Sequence, residues 1–287
     1  MESMGIHEET VNYGIIPLGH SYGLGNLLMP LLLKGVRIVF GSAPFPQIVA
    51  DEIERYQCTF FAAVPPLIKA LSKSELAPGQ LSSLNRVISA GSRLSPEVAQ
   101  AFTAGFAIKV HNFYGSSETG GICFDPDGAS TLDGSSVGLP MSGVSLEIRE
   151  GRVHVYSLAV SHTMYPDGWV PVSDFGRIDS RGHLCLEGRE SDLVKIAGKR
   201  LYLSEVERAL VQIDGVVDAM VLTKASRRGE DRLYAVYQGE LSPDSVRAEL
   251  QTRLVDWKVP RVCQQMVQIP YTSRGKKDRK AILAFLG

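Results

Sequence analysis

The sequence predicts an α/β protein: a parallel α/β layer, then a small antiparallel β-barrel, then a small α+β C-terminal domain. Three observations predict it. Up to about residue 122, short apolar runs that read as strands alternate with segments whose apolar residues recur at helical spacing, the pattern of a parallel sheet covered on both faces. From about residue 137 the chain turns to short alternating strands joined by tight turns. Near Asp192 it changes again, to the helices and strands of a small mixed unit. The expected divisions are therefore 1–122, 123–188, a junction at 189–191, and 192–287.

Each element has a local reason. Residues 13–18 and 36–40 read as strands, and 45–56 as a helix with Phe45, Ile48, Val49, Ile53 and Tyr56 on one face. The continuous apolar run 58–64 is a buried strand, 65–71 a short helix opened by proline, and 86–90 another strand. Ser95 and Pro96 look like the N-cap and first residue of a helix reaching about Phe102. Residues 108–114 form a buried strand that stops at Gly115. Further on, 145–149 and 153–156 flank a turn at Glu150 and Gly151, and 176–178 and 184–186 flank a turn at 180–182. Ser204 and Glu207 have capping-box spacing at the start of a helix over 205–213. Strands near 216–222 and 233–237, joined by the charged RRGED turn, a helix over 243–254 and a last strand near 264–269 complete the chain.

Composition narrows the function classes. At 287 residues, 44% hydrophobic and 21% charged, the chain has an ordinary globular balance and room for one large or two ordinary domains. Thirty basic against thirty-one acidic residues give no general drive toward nucleic acid or an anionic membrane. The longest apolar stretch, 27–33, is interrupted by Pro30 and ends at Lys34, too short to span a bilayer, and the start does not resemble a signal peptide. Cys58, Cys123, Cys185 and Cys263 have no paired spacing, which fits a reducing cytoplasm rather than a zinc site or a disulfide framework.

The stretch VHNFYGSSETGG, 110–121, carries the densest chemistry. Ser116, Ser117 and Thr119 can donate hydrogen bonds to an anion, and Glu118 can hold a divalent cation. Gly120 and Gly121 let backbone approach a ligand, and Tyr114 offers an aromatic face to a base. GSSETGG alone reads equally as a polar turn capped by glycine. With GHSYG at 19–23 and AGSR at 90–93, it makes three polar-Gly loops at the carboxyl ends of parallel strands, where ligands bind in such sheets. Asp174 in VSDFGRID and Arg189 in LEGRESDLVKIAGKR pair an acceptor for a ribose diol with a donor, although each alone is an ordinary surface charge. SRGKKDRK, 273–280, is a basic run with a glycine directly before Lys276, a pattern that most often marks a solvated face.

Taken in order, these stretches resemble the adenylate-forming superfamily of acyl- and aryl-CoA synthetases, peptide-synthetase adenylation domains and luciferases. The resemblance runs from IIPLGHSYGLGNLLMPLLLKG through YGSSETG, SDFGRID and GRESDLVKIAGKRLYLSEVE to IPYTSRGKKDRKAIL, nearly the whole chain. It implies joining a carboxylate to the α-phosphate of ATP, release of pyrophosphate, then transfer of the acyl group to the thiol of CoA or a carrier protein after a small, mobile C-terminal domain rotates about a hinge at 189–191. It also implies roles. Glu118 would hold Mg²⁺, Ser117 would meet phosphate and Tyr114 would flank adenine. Gly91, Ser92 and Arg93 would line the adenine and acyl pockets, Asp174 and Arg189 would contact the ribose, and His20 would gate the thiol tunnel. Lys276 would neutralise charge on the carboxylate and α-phosphate, and Gly198 would let the thiol arm pass.

Two departures qualify these expectations. The hinge position that usually carries a charge is Ser191, and the family's Ser/Thr/Gly-rich phosphate loop ending in Pro-Lys has no counterpart in the sequence. In family terms the α/β layer is truncated. The chain is therefore expected to adenylate poorly or not at all alone, the alternative being a non-catalytic AMP or acyl-adenylate binding module. Apolar surface left uncovered on the sheet leads to an expected homo-oligomer. The identity of the acid, and CoA against a carrier protein, are left open.

Overall fold

The computed structural model describes residues 1–77, 79–196, 198–225, 231–272 and 277–286. Lys276 and most of the RRGED turn lie outside the described residues. The chain divides into two compact units, Met1–Val172 with Gly176–Leu186, and Ser173–Phe175 with Glu187–Gly287.

The first unit opens with β1 (Val11–Gly14), then α1 (Ser21–Gly23), which continues through a π-helical turn, Leu24–Leu28, into α2 (Met29–Lys34). There follow β2 (Arg37–Phe40), α3 (Pro46–Tyr56), β3 (Phe60–Ala63), α4 (Pro65–Ser72), β4 (Arg86–Ser89), α5 (Pro96–Phe106), β5 (Val110–Ser116), β6 (Gly120–Phe124), α6 (Ala129–Asp133) and β7 (Leu139–Pro140). The seven strands form one sheet in the order β2-β1-β3-β4-β5-β6-β7. The first five are parallel, while β6 and β7 extend the sheet antiparallel.

Proline at the start of α3, α4 and α5, each after a residue in extended conformation, gives these helices their entry point. Ser95 caps α5 as expected, its Oγ accepting from the Val98 N–H at 3.4 Å. The helix runs one turn beyond Phe102, because Phe106 packs on Phe102 at 4.9 Å between ring centroids before Ala107 ends it in the left-handed region. Neighbouring residues of β3 point to opposite faces. Phe61 joins Tyr13, Ile53, Leu71 and Phe102 beneath the helices, and Phe60 joins Met4, Ile6, Tyr22 and Ile88 on the other side. The β2 end of the sheet is less covered: Leu32, Leu33, Phe40 and Phe45 are each more than 60% exposed.

A second sheet of four strands has the order β11-β10-β9-β8, from β8 (Val144–Arg149), β9 (Arg152–Ser157), β10 (Trp169–Ile178) and β11 (Leu184–Arg189). Strands β8 and β11 are its ends, so this order is open among the described residues where a small barrel is expected. The turn at Glu150 and Gly151 forms as expected, with φ of 51° and 79°, as a two-residue hairpin of this type requires.

In the second unit β12 (Leu193–Ile196) and β13 (Lys199–Tyr202) form a hairpin that leads into α7 (Leu203–Val211). Strands β14 (Val216–Ala225) and β15 (Asp231–Gly239) pair antiparallel, and β16 (Val262–Gln265), after α8 (Pro243–Arg253), joins β15 in parallel. The capping box at Ser204 and Glu207 does not form. Leu201 and Leu203 are both drawn into the core, so the helix begins earlier, Tyr202 takes the cap position, and Ser204 falls within the first turn with its Oγ buried. Glu207 instead accepts from the Val221 N–H at 2.8 Å. A last helix, α9 (Arg279–Phe285), was hidden in the basic run; Asp278 caps it, accepting from the N–H groups of Lys280 and Ala281. Among the described residues, no helix is long and apolar enough to cross a membrane.

Candidate active site

In the first unit the site is set by the carboxyl ends of β4 and β5. These are parallel neighbours, so their ends emerge on one edge of the sheet. Ala90–Arg93 follow β4 directly, with Gly91 at φ 88° and the Arg93 guanidinium donating to the Gly134 carbonyl at 3.1 Å. Strand β5 does not stop at Gly115. It continues to Ser116, turns through Ser117–Thr119 and returns as β6, so the expected polar loop is the tip of a β-hairpin. This changes the reason for its glycines. A Cβ on Gly115 would lie 2.5 Å from the Gly120 carbonyl oxygen, and one on Gly121 would meet Met141 Sδ at 2.8 Å and the Phe113 ring at 2.9 Å. Glycine is needed there for the strands and their packing.

At the tip, Thr119 is buried and its hydroxyl pairs with that of Ser116 at 3.0 Å, while Ser117 and Glu118 are exposed. The Ser117 hydroxyl donates to Ser21 Oγ at 3.2 Å, so the hairpin tip meets the GHSYG loop. His20 is exposed and caps α1: its Nδ1 accepts from the Tyr22 N–H at 3.1 Å, which leaves the ring proton on Nε2. Tyr22 anchors this loop. Its buried hydroxyl donates to the Ala63 carbonyl at 3.1 Å, and its ring stacks on Phe113 at 5.8 Å. Burial pushes its phenol well above the usual tyrosine range, so it stays a donor. Gly23 permits the tight return, because a Cβ there would sit 2.3 Å from the Pro17 carbonyl oxygen. Tyr114 faces the core of the four-stranded sheet and pairs with Cys123 across the hairpin.

Among the described residues, no group of three or more His, Cys, Asp or Glu side chains could hold a metal ion. A magnesium ion bound to nucleotide phosphates needs only one or two carboxylates, and the exposed Glu118 fits that lesser role. At the opposite, amino ends of the strands lies a polar cluster with no part in this edge. Arg86 Nη1 lies 3.1 Å from His111 Nε2, and His111 Nδ1 lies 2.8 Å from the Asp125 carbonyl oxygen. Asp125 in turn accepts from the Thr131 N–H and hydroxyl. Burial, reinforced by Arg86, pushes the His111 imidazole down to about 4.

The remaining expected residues belong to the second unit. Asp174 is buried and accepts from Arg189 Nε at 2.7 Å, so two residues 15 apart in sequence form one acceptor–donor pair. Gly198 sits in the β12–β13 hairpin at φ 78°, and a Cβ there would meet nothing within 4 Å. Ser191 donates to Asp192 at 3.3 Å. Lys276 lies outside the described residues, but its neighbour Lys277 forms an ion pair with Asp218 at 2.9 Å. Sequence reasoning missed Ser21 and Tyr22, both inside a motif already noticed.

Comparison with known proteins then places the chain. The family profile described as AMP-binding enzyme matches residues 1–154. A 2-hydroxy-7-methoxy-5-methyl-1-naphthoate–CoA ligase of Streptomyces carzinostaticus is 27% identical over 99% of this chain. A 2-succinylbenzoate–CoA ligase of Staphylococcus epidermidis is 23% identical over 98% of it. The chain spans only 56% and 62% of the lengths of these two relatives. Among solved structures, an amide bond synthetase of Marinactinospora thermotolerans superposes with a TM-score of 0.87 at 25% identity, covering 99% of this chain and 64% of that one. An o-succinylbenzoate CoA synthetase of Bacillus subtilis, solved with its acyl-adenylate intermediate, shares the fold at a TM-score of 0.83 and 21% identity, covering 98% and 62%. Since the profile matches more than half of its length, the chain belongs to the AMP-binding enzyme family, within the adenylate-forming superfamily that its motifs resemble.

Proposed function

We propose that this chain handles an acyl-adenylate, as an AMP-dependent acid–thiol ligase does. In that reaction a carboxylate oxygen attacks the α-phosphorus of ATP and pyrophosphate leaves; a thiolate then attacks the acyl carbon and AMP leaves. The observation that carries the reading is the contact of Ser117 with Ser21, which joins the hydroxyl-rich hairpin tip to the His20 loop inside the segment the family profile matches. Ser117 would donate to phosphate, Glu118 would hold the nucleotide's magnesium, and Tyr114 with Gly91, Ser92 and Arg93 would border adenine and acyl group. Asp174 and Arg189 would take the ribose hydroxyls, His20 and Gly198 would serve the thiol, and Lys276 would neutralise the acyl phosphate. Both relatives act on aromatic acids, which makes an aryl acid the substrate class of choice and CoA the thiol.

The 287 residues hold no Ser/Thr/Gly-rich run ending in Pro-Lys, the segment that holds the outer phosphates of ATP in the family the motifs resemble. This chain alone should therefore show negligible pyrophosphate exchange with ATP and free acid, yet form thioester from a preformed acyl-adenylate and CoA. Lys276→Ala should leave that second step nearly intact. Asp174→Ala should weaken AMP binding by calorimetry about tenfold or more, since it removes a charged acceptor. Ordinary pyrophosphate exchange would refute the division of labour. Tight AMP binding with no thioester from any acyl-adenylate would leave a binding module. A second copy of the chain would cover the exposed Leu32, Leu33, Phe40 and Phe45; a clean monomer at high concentration by light scattering would contradict this.

A further inference from the structure

Pro30 imposes an irregularity on the helix that follows the His20 loop. Proline has no N–H, and its ring crowds the carbonyl four residues earlier, which is that of Asn26. The helix accommodates this with the π-helical turn Leu24–Leu28, closed by the Met29 N–H donating to the Leu24 carbonyl five residues back. The Asn26 carbonyl is taken by a side chain of the sheet instead: Asn12 on β1 donates to it through Nδ2 at 2.7 Å. The Asn26 side chain reaches the other way, its Nδ2 donating to the Tyr22 carbonyl at 3.0 Å.

Tyr22 is thereby held by carbonyl, hydroxyl and N–H together. Its carbonyl receives Asn26, its hydroxyl donates to the Ala63 carbonyl, and its N–H donates to His20 Nδ1 at 3.1 Å. A relay of hydrogen bonds thus runs from β1 through Asn26 and Tyr22 to the His20 ring. Both asparagines are buried, with 0% of Asn12 and 2% of Asn26 exposed, and the Oδ1 of each has no hydrogen-bond partner among the described residues. Unpaired amide oxygens in a core are a stability cost that apolar side chains would avoid. What the two amides supply is their donors, both directed at backbone carbonyls behind the His20 loop.

We propose that Asn26 is a positioning residue: by fixing the Tyr22 backbone, it holds the His20 ring with Nδ1 as acceptor and the proton on Nε2. The use of that ring in acyl transfer rests on the ligase reading given above.

The test compares Asn26→Ala with Asn26→Ser, side chains of similar size of which only serine can donate to the carbonyl four residues earlier. Histidine ring-nitrogen NMR at mildly alkaline pH, where an ordinary imidazole is neutral, reads the His20 tautomer without any substrate. The His20 resonances are assigned by their absence in His20→Ala. His111 is the internal control for an intact fold, since its Nδ1 donates to the Asp125 carbonyl and it shows the opposite tautomer. In the wild type His20 should show the single Nε2–H form. In Asn26→Ala its resonances should move toward the averaged tautomers of free histidine at an unchanged His111 pattern, and Asn26→Ser should restore the single form. With a preformed aryl-adenylate and CoA, kcat for thioester should fall about tenfold in Asn26→Ala, at a KM for the adenylate within about twofold of the wild type. In a His20→Ala background the same substitution should change kcat less than about twofold, because the ring it orients is gone. Asn12→Ser, whose shorter side chain does not reach the Asn26 carbonyl, gives the same reading if Asn26→Ala does not fold. An unchanged His20 spectrum in a folded Asn26→Ala or Asn12→Ser, or an equal loss of kcat with and without His20, would overturn the positioning role and spare the ligase reading. No thioester from the wild type would overturn the ligase reading, and the spectrum would still decide whether Asn26 holds His20.

Discussion

The hairpin tip at Ser116–Thr119 and the cluster of Asp218, Tyr271 and Lys277 hold their polar groups by opposite means. Around the tip, backbone fit frames the hydroxyl pairs: Tyr22 is bonded to a strand carbonyl, His20 to a helix N–H, and glycines 23, 115 and 121 stand where a Cβ would strike neighbouring atoms. Around Asp218, side-chain charge does it, through Lys277 and Tyr271. Backbone holding tolerates almost no added volume and little positional error. Charge holding tolerates added volume but fails when one partner is removed.

The sharpest way to break this contrast is to add a methyl group to the first region. Gly23 has helical φ and ψ, so alanine is conformationally acceptable there, and the obstacle is backbone: the Pro17 carbonyl oxygen 2.3 Å away and that of Ile16 at 3.2 Å. Gly23→Ala should cost about 3 kcal/mol or more of stability and release the His20 loop. Urea unfolding measures the first, and loss of the Tyr22–Phe113 stacking signature in near-ultraviolet circular dichroism the second. A variant as stable as the wild type would show that the loop is not held by backbone fit.

The same contrast explains what could be read in advance. Strands β2 to β5 and helices α3 to α5 were legible because buried apolar runs, helical spacing and N-terminal prolines are local signals. The pairing of Asp174 with Arg189 was foreseen only as complementary chemistry, and the structure brings the two to 2.7 Å. The hairpin nature of 110–124 was missed because Gly115, the strand's apparent end, is the residue that lets the partner strand approach. Ser204 and Glu207 matched a cap pattern, but core burial of Leu203 outweighed a single side-chain hydrogen bond. The gathering of Tyr271 and Lys277 on Asp218 could not be read locally, because these two partners lie more than fifty residues away.

A second prediction concerns the exception within the first unit, where charge and burial meet at His111. Its folded-state pKa of about 4 lies below the ordinary histidine value, so between pH 6.5 and 4 the unfolded chain binds the extra proton. Stability from this group is fully present above about pH 6.5 and is lost as pH falls toward 4. The full loss is on the order of 3 kcal/mol. Asp125, whose carboxyl is pushed up by burial, works in the opposite direction over the acid range. Comparing the wild type with His111→Asn by urea unfolding at pH 7 and pH 4.5 removes that shared contribution. The variant should lose less stability between the two pH values, and parallel losses would place the imidazole in a more polar setting than its contacts imply.

The smallest effect separates structure from chemistry at the tip itself. Ser21→Ala and Ser117→Ala each delete the same 3.2 Å hydrogen bond between two hydroxyls, so each should lower stability by about 1 kcal/mol or less, and equally. Binding should not be equal. Ser117 is the member that sits beside Glu118, where the phosphate is proposed to lie, and a hydrogen bond to a charged group is worth about 1.5 kcal/mol or more. Ser117→Ala should therefore weaken AMP about tenfold by calorimetry, while Ser21→Ala should change it less than about twofold. Equal weakening by both would mean that the hydroxyl pair, and not the backbone of the hairpin, sets the position of the tip. The contrast with the Asp218 cluster would then shrink, since both regions would depend on a single pair of side chains. No weakening by either would make GSSETGG the plain polar turn that its composition also permits.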